Sequence, residues 1–324
     1  MRAPDFWAAD GFAARLLVPA SACYALAGAL RWRLVRPWRP PARVVCVGNA
    51  VAGGAGKTPV AIAIARRLVA RGIAASIVAG GYRGALRGPR RVDPARHDAR
   101  AVGDEALLLA RAAPTWVARD RRSGVAAAID AGAAVVILDD GLQDPAVVKD
   151  LTLMVVDGGQ GFGNGRVIPA GPLREPLARA FGRADAFVVV GPDETESTAR
   201  VATTGKPVLG ARLEPTIELL DLADRPVLAF AGIGWPEKFF AMLRRYGLQV
   251  AGAHRFADHQ RYDEDTVMRL VEEAARLGAR PVTTEKDFVR LPDDARLLVT
   301  AIPVALVWAD EGVLDRVLAT VAPE

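Results

Sequence analysis

From residue 43 the chain alternates short apolar runs with segments of helical periodicity. The runs RVVCV, ASIVA, TWVA, AVVIL, LTLMVV and AFVVV contain few polar residues, and helices are predicted between them, for example over 56–71, 104–112 and 123–131. Short, nearly continuous apolar runs indicate strands that are buried on both faces. Their alternation with helices predicts a parallel sheet covered on both sides, with ligands bound at the carboxyl ends of its strands.

The alternation loosens over residues 192–226, which we interpret as a connection between two lobes. A second α/β unit follows, with strands predicted at VLAFAGIG, RPVTT and IPVALVW, helices over 236–246 and 264–277, and a closing helix. A length of 324 residues suits two domains. We therefore predict a core over 41–205 and a second, smaller lobe over 206–324 that contributes to an active-site cleft.

The first forty residues have a different character. Residues 16–30 carry no charge, and the following RWRLVRPWRP brings four arginines and two tryptophans. The apolar run is shorter than the roughly 20 residues that a membrane-spanning helix needs. Basic residues and tryptophans beside it favour an interface with anionic lipid. A helix packed on the core is the alternative; we predict that residues 1–40 form a membrane-associated helix on an anionic surface.

Composition narrows the class of protein. The chain is 51% hydrophobic, which supports sizeable cores, and its formal net charge of +5 favours anionic partners. Aromatic residues make up only 6% and no zinc-finger spacing occurs, so we expect no nucleic-acid partner. The two cysteines, Cys23 and Cys46, form no C-x-x-C pair and indicate a reducing compartment. No protein partner is implied.

The stretch VGNAVAGGAGKTP predicts a phosphate-binding loop between a strand and a helix. In the standard pattern G-x-x-x-x-G-K-[ST] the first glycine would fall at Val51, but other glycines follow it closely. A helix N-terminus preceded by glycines presents N–H groups to an anion. We expect the loop glycines, the lysine and the threonine to bind the nucleotide, with the threonine also on Mg²⁺; these residues are Gly53, Gly54, Gly56, Lys57 and Thr58.

AVVILDDGLQ supplies the acidic strand that should accompany such a loop. One or both of Asp139 and Asp140 would hold Mg²⁺, directly or through water. The two motifs together predict a P-loop NTPase-like fold. A GTPase would show Asn/Thr-Lys-x-Asp, whereas in TTEKD Lys286 and Asp287 are adjacent. This difference favours ATP over GTP.

Several classes remain open at this point. A P-loop kinase or ligase of a soluble metabolite would have the same loop but no reason for an apolar, basic N-terminus. A P-loop GTPase or metallochaperone is a second class, disfavoured by the missing guanine motif and the lack of His/Cys clusters. A nucleic-acid-binding ATPase is supported only by the basic charge.

A wider set of motifs resembles one family. In chain order, GNAVAGGAGKTP, VGDEALLLA, ILDDGLQ, FGNGRVIPAGPLREP, FAGIGWPEKFF, FADHQRY and TTEKD are similar to those of the lipid A 4'-kinase (tetraacyldisaccharide 4'-kinase) family. The resemblance covers nearly the whole chain, including the variant phosphate loop. It implies transfer of the γ-phosphate of ATP, with Mg²⁺, to the 4'-hydroxyl of an acylated glucosamine disaccharide 1-phosphate. It also implies two α/β lobes and a location at the cytoplasmic face of the bacterial inner membrane.

The same resemblance implies roles for individual residues. Asp104 and His259 would form the base pair that activates the hydroxyl. On sequence alone, an acid at the start of a helix such as Asp104 is equally well explained as a helix-terminal charge. The resemblance places five further residues on the substrate side: Glu105, Arg121, Gln143, Arg174 and Glu175.

Three positions depart from the family pattern. Ala79-Gly80-Gly81-Tyr82 stands where the family often has Ser-Arg-Gly-Tyr, and Arg83 is a candidate replacement for that arginine. Asp144 occupies the position where the family usually has histidine, and Gln260 follows His259. We expect activity with altered fine contacts.

Overall fold

The computed structural model describes residues 4–321. Its strands are β1 (Arg43–Gly48), β2 (Ala75–Ala79), β3 (Arg90–Arg91), β4 (Thr115–Val117), β5 (Val135–Asp139), β6 (Leu151–Asp157), β7 (Ala186–Val190), β8 (Val208–Pro215), β9 (Val227–Ala231), β10 (Val250–Arg255), β11 (Arg280–Thr284), β12 (Thr300–Ile302) and β13 (Val304–Trp308). Its helices are α1 (Phe12–Leu16), α2 (Val18–Leu34), α3 (Lys57–Ala70), α4 (Ala99–Val102), α5 (Asp104–Leu109), α6 (Arg121–Asp130), α7 (Leu177–Arg183), α8 (Ser197–Ala202), α9 (Pro236–Arg245), α10 (Glu264–Arg276), α11 (Glu285–Phe288), α12 (Asp293–Arg296) and α13 (Glu311–Leu318).

The larger sheet, counted over the described residues, has nine strands in the order β13-β8-β7-β6-β1-β5-β2-β4-β3. The strands from β4 to β8 in this order run parallel, and β3 and β13 pair antiparallel at the two edges. Helix α3 covers one face through Val60, Ile64 and Leu68, and α6 covers the other through Val125 and Ala128. The predicted α/β class with a parallel sheet covered on both faces is confirmed.

A smaller, all-parallel sheet has the order β10-β9-β11-β12. The aromatic side chains of α9, Phe239 and Phe240, pack on one face of it, and Val267 and Leu270 of α10 pack on the other. It forms the core of the second lobe.

The sheets do not follow the predicted division at residue 205. Strand β8 lies beyond that position, within the stretch interpreted as a connection, yet it pairs with β7 in the larger sheet. The run IPVALVW, predicted as one strand, is split between the sheets: Ile302 belongs to β12, and β13 begins at Val304 and pairs with β8. Pro303 lies at the break, where its missing N–H suits a strand end. The chain thus returns to the first lobe before it ends.

The topology places the phosphate loop beside the acidic motif. Strands β1 and β5 are parallel neighbours, with Val47 opposite Asp139. The loop after β1 and the aspartates at the end of β5 therefore meet at one edge of the sheet. Strand β6, on the other side of β1, ends nearby with Asp157.

Helix α2 packs on the loop over 164–171. Ser21 is the buried residue of α2, and its hydroxyl donates to the carbonyl of Val167 at 2.7 Å. Several large apolar side chains of α1 and α2 are exposed to solvent, namely Phe12, Leu16, Val18, Tyr24, Leu26, Leu30 and Leu34. Over residues 4–321, no helix has both the length and the apolar character required to cross a bilayer.

Candidate active site

The phosphate loop has the backbone that its glycines predict. Gly53 and Gly56 have φ of 122° and 79°, and Gly56 caps the N-terminus of α3 in the left-handed conformation. Val51 is buried and forms a short antiparallel bridge with Leu173. Because Val51 lies in an extended bridge, this position has no need of the glycine that the standard pattern places there.

Lys57 is directed by two side chains from neighbouring strand ends. Its ammonium donates to Asn49 Oδ1 at 3.1 Å and lies 3.7 Å from Asp140 Oδ1. Thr58 is the next residue of α3, and its side chain lines the same cavity as Lys57. The lysine and threonine therefore lie where a P-loop presents them to phosphate and metal.

Asp139 and Asp140 differ in their surroundings. Burial raises the pKa of Asp139 to about 7, and the charges of Glu105 and Asp140 act in the same direction. Burial alone would also raise the pKa of Asp140, but the positive charges of Lys57 and Arg174 outweigh it and hold that pKa below its usual value. The positive charges near Asp140 therefore offset its burial, whereas those near Asp139 do not.

The aspartate pair fits a divalent cation. Asp139 Oδ1 is buried without a hydrogen-bond partner in the structure, which is the environment of a carboxylate that accepts a cation. Among residues 4–321, no three His, Cys, Asp or Glu side chains are grouped around a common metal position. Mg²⁺ in nucleotide sites typically takes one or two carboxylates and completes its shell with phosphate oxygens and water.

Three of the residues predicted on the substrate side form a continuous polar chain. The Arg174 guanidinium contacts both Asp140 oxygens, at 2.8 and 3.0 Å, and donates to Gln143 Oε1 at 3.3 Å. Gln143 Nε2 in turn donates to Glu175 Oε1 at 3.1 Å, and Glu175 pairs with Arg183. Arg183 stacks on the ring of Trp32 in α2, 4.4 Å from the ring centroid. This series of side-chain contacts therefore links the acidic motif to the N-terminal helix.

Arg121 lies apart from that chain. Its guanidinium donates to the main-chain carbonyls of Asp139 at 2.9 Å and Ala118 at 3.3 Å, and the residue is buried. It supports the backbone that carries the aspartates. Arg83 donates to the main-chain carbonyls of Asp258 and His259.

Asp104 and His259, 155 residues apart, are brought into contact. Asp104 begins α5 in the first lobe, and His259 follows β10 in the second lobe with a left-handed φ of 57°. His259 Nδ1 lies 2.8 Å from Asp104 Oδ2, and Arg290 Nε contacts the same oxygen at 3.1 Å. Burial would raise the pKa of Asp104, but the hydrogen bond from His259 and the charges of Lys286 and Arg290 hold it below its usual value.

The ionised carboxylate determines which nitrogen of the imidazole donates to it. An ionised Asp104 accepts a hydrogen bond, so Nδ1 of His259 carries a proton and Nε2 is directed away from Asp104. Lys286 Nζ lies 3.4 Å from that Nε2 and 3.0 Å from Glu105 Oε1. Asp104 is only 4% exposed, whereas His259 lines the cavity. The imidazole is thus the group of the pair that a ligand reaches.

One cavity of about 1290 Å³ joins the two sets of residues. Around the phosphate loop and the acidic motif, its lining includes Gly53, Gly54, Gly56, Lys57, Thr58, Asp140 and Arg174. Around the contact between Asp104 and His259, it includes Glu105, His259 and Lys286. Lys238 of α9 reaches across it to Asp157 Oδ2 at 2.6 Å. The phosphate loop and the Asp104–His259 pair therefore belong to one cleft between the lobes.

Sequence reasoning missed four residues of this cleft. Asn49 directs Lys57, Arg290 holds Asp104, Lys286 contacts Glu105, and Lys238 pairs across the lobes. Asn49 and Lys238 lie within motifs quoted above, and Lys286 lies in TTEKD, so their positions were visible although their roles were not. Arg290 gave no signal, because it acts through a contact with a residue far away in sequence.

Both the sequence and the structure are similar to those of known proteins. Residues 13–322 match the model of the tetraacyldisaccharide-1-P 4'-kinase family. The chain is 51% identical to the tetraacyldisaccharide 4'-kinase of Rhodospirillum centenum, over 98% of this chain and 96% of the relative, and 50% identical to that of Rhodospirillum rubrum, over 98% of each. Among solved structures, it is similar to LpxK from Aquifex aeolicus in complex with ATP, with a TM-score of 0.75 and 26% identity over 95% of this chain and 99% of that one.

Proposed function

The chain belongs to the tetraacyldisaccharide-1-P 4'-kinase family, and from this membership we propose that its cleft transfers the γ-phosphate of ATP to the 4'-hydroxyl of an acylated glucosamine disaccharide 1-phosphate. The observation that carries the proposal is the single cavity of about 1290 Å³ with a phosphate loop at one side and a histidine–carboxylate pair at the other. A kinase of this type needs both: one set of groups for the nucleotide and one for the acceptor.

On the nucleotide side, the backbone N–H groups of Gly53, Gly54 and Gly56 would hold the phosphates, and Lys57 would neutralise the charge that is transferred. Thr58, Asp139 and Asp140 would hold Mg²⁺, which, when bound, neutralises phosphate charge. The partnerless oxygen of Asp139 supports this assignment. Arg174 contacts both oxygens of Asp140 and so would fix the direction of its carboxylate.

On the acceptor side, His259 would take the proton of the 4'-hydroxyl. As the hydroxyl oxygen bonds to the γ-phosphorus, the bond from that phosphorus to the β,γ-bridging oxygen breaks and ADP leaves. The hydroxyl proton passes to Nε2, and Asp104 stabilises the imidazolium through its bond to Nδ1. The 2.8 Å contact between His259 and Asp104 and the exposure of the imidazole to the cavity support these roles.

The remaining predicted residues would act around the substrate. Glu105 lines the cavity beside His259, while Gln143 and Glu175 connect Arg174 with the N-terminal helix. Arg121 would act through the main chain of Asp139.

We further propose that α1 and α2 rest on an anionic membrane surface, at the cytoplasmic face of the bacterial inner membrane. The support is a row of exposed apolar side chains, including Leu26 and Leu30, followed by the arginine- and tryptophan-rich segment 31–40. An acylated acceptor is itself held in lipid, so an enzyme seated there meets its substrate without extracting it.

The direct test is incubation of the full chain with ATP, Mg²⁺ and the acylated disaccharide 1-phosphate. We expect a second phosphate on the lipid, located at the 4' position by mass spectrometry, with one ADP formed per phosphate transferred. GTP in place of ATP should give a lower rate. Consumption of ATP without phosphorylation of the lipid, or preference for a de-acylated, water-soluble disaccharide, would contradict the proposal.

A further inference from the structure

The TTEKD motif forms a turn that is fixed by a buried aspartate. Asp287 is fully buried and accepts hydrogen bonds from the main-chain N–H of Gly232 at 2.9 Å, the hydroxyl of Tyr262 at 2.7 Å and the hydroxyl of Thr284 at 2.6 Å. Arg290 Nη2 lies 3.2 Å from the same carboxylate. Because one side chain makes all these contacts, the turn is held rigidly. The turn thereby determines the direction of the neighbouring Lys286.

Lys286 projects from this turn to the pair formed by His259 and Asp104. Its ammonium lies between Glu105 Oε1, at 3.0 Å, and His259 Nε2, at 3.4 Å, and it lines the cavity. The opposite charges of Glu105, Asp104 and Asp258 outweigh the effect of burial and keep the pKa of Lys286 above its usual value. Lys286 is therefore a cation in contact with the ring nitrogen of His259 that Asp104 leaves free.

The charges around His259 explain why a cation is needed there. Three carboxylates lie close to the imidazole: Asp104 at 2.8 Å, Asp258 at 3.8 Å, and Glu105 through Lys286. Carboxylates at such distances favour the imidazolium, but a histidine that accepts a proton has to begin neutral.

The other polar groups near His259 leave this task to Lys286. Arg290 is engaged by Asp104 and Asp287, and Arg83 contacts main-chain carbonyls. The ring of Tyr82 meets the imidazole edge to face, with 5.3 Å between centroids. Lys286 is the cation that contacts Nε2.

We propose that Lys286 is a positioning residue for His259: its ammonium, held by Glu105, keeps the imidazole neutral and its Nε2 free of a proton until the acceptor arrives. The proposal rests on the proposed function, in which His259 takes the hydroxyl proton. The contact of 3.4 Å is long for a hydrogen bond, so the substrate hydroxyl displaces it readily. A motif without a role in the nucleotide site thereby acquires one at the acceptor site.

The test is a titration of the histidine rings by NMR in the full-length, ¹⁵N-histidine-labelled protein. The chain has three histidines, and loss of one signal in His259→Asn assigns the resonance. We expect a neutral His259 with the proton on Nδ1 at neutral pH. Lys286→Met should raise the midpoint of its titration by about one pH unit, since removal of one adjacent charge typically has an effect of this size. Lys286→Arg should restore the midpoint.

Two further variants separate this effect from general damage. Lys238→Met removes another lysine that pairs across the lobes and should leave the His259 midpoint unchanged. Glu105→Gln removes a neighbouring negative charge and should lower the midpoint of His259. General loss of structure would not shift the midpoint in opposite directions in Glu105→Gln and Lys286→Met. The acid limb of kcat/KM for the lipid should follow these shifts, with little change in KM for ATP.

An unchanged His259 midpoint in Lys286→Met, or an equal rise in Lys238→Met, would overturn the role of Lys286. Because the NMR readout needs no turnover, that outcome is distinct from failure of the proposed function, which would appear as absence of the 4'-phosphate product in the wild-type protein.

Discussion

The two sides of the cleft are built in different ways. On the side proposed for the nucleotide, Asp140 is balanced by Lys57 and Arg174, all in the first lobe. On the side proposed for the acceptor, Asp104 belongs to the first lobe, but its partner His259 and the nearby charges of Lys286 and Arg290 belong to the second. The nucleotide side can therefore form within one lobe, whereas the acceptor side exists only where the two lobes meet.

This difference matters for substitution experiments. The contact between Asp104 and His259 requires both lobes, whereas Lys57, Asp140 and Arg174 approach one another within the first lobe. Substitutions on each side, and at the contact between the lobes, separate these two parts of the site.

The largest effect is expected on the nucleotide side. Lys57→Ala removes the charge that would neutralise the transferring phosphoryl group, and the loss of one such preorganised contact typically lowers turnover by about a hundredfold or more. Steady-state turnover with the lipid, together with the circular dichroism spectrum as a check on folding, measures it. A folded variant with nearly normal turnover would remove the basis for the nucleotide assignment.

A smaller effect is expected at the N-terminal helix, for which we propose contact with the membrane surface. Leu26→Glu combined with Leu30→Glu places charges on side chains that are 70% and 52% exposed, so folding should be unaffected. Burial of a leucine contributes about 1.5–3 kcal/mol when complete, and we expect sedimentation with anionic vesicles to weaken by about tenfold or more. KM for ATP should stay unchanged.

The matched control is Leu297→Glu, which charges an exposed leucine of the second lobe at 87% exposure. Equal loss of vesicle binding in the control and the double variant would show that the N-terminal helix is not the site of membrane contact. Deletion of residues 1–38 should give the same shift from membrane to soluble fraction, and high salt should weaken the association only in part.

The third effect concerns the acid stability of the contact between lobes. The pKa of Asp104 lies below its ordinary value of 3.8 in the folded protein. Its contribution to stability is therefore complete above about pH 4 and is lost as the pH falls through the lowered native value. Asp104→Asn should be less stable at neutral pH by about 1–3 kcal/mol, because Arg290 and His259 lose their partner.

Below pH 4 the wild-type protein and Asp104→Asn should converge in free energy of unfolding, measured by urea denaturation across pH 3–6. A constant difference between them over this whole range would mean that the carboxylate charge of Asp104 does not stabilise the contact between the lobes.

The nucleotide side was predictable from sequence because its parts are local. A glycine turn and Gly-Lys-Thr follow one strand, Asp139 and Asp140 follow another, and parallel neighbouring strands bring their carboxyl ends together. Even the departure at Val51 has a local cause, the bridge to Leu173. The apolar runs of the larger sheet were recognisable for the same reason.

The other features could not be predicted, because they depend on contacts between residues that are distant in sequence. Strand β8 was hidden in a stretch rich in turn residues, and β10 has alternating exposed and half-buried residues because it lies at the edge of the smaller sheet. The split at Pro303 requires knowledge of which sheet each half joins. Asp104 and His259 were linked only by family resemblance, and nothing local pointed to Arg290 as their neighbour.

The central claim is that Asp104 and His259, from different lobes, act as one unit on the acceptor. A double-mutant cycle on turnover with the lipid, using Asp104→Asn and His259→Asn, tests it most directly. Each single change should lower turnover by about a hundredfold or more with little change in KM for ATP, and the double change should cost far less than the product of the two. His254→Asn is the control, since His254 contacts Glu273 on the surface of the second lobe and its loss should have little effect. Independent, multiplicative losses, or an equal loss in His254→Asn, would contradict the account and leave Asp104 as a charge at a helix N-terminus.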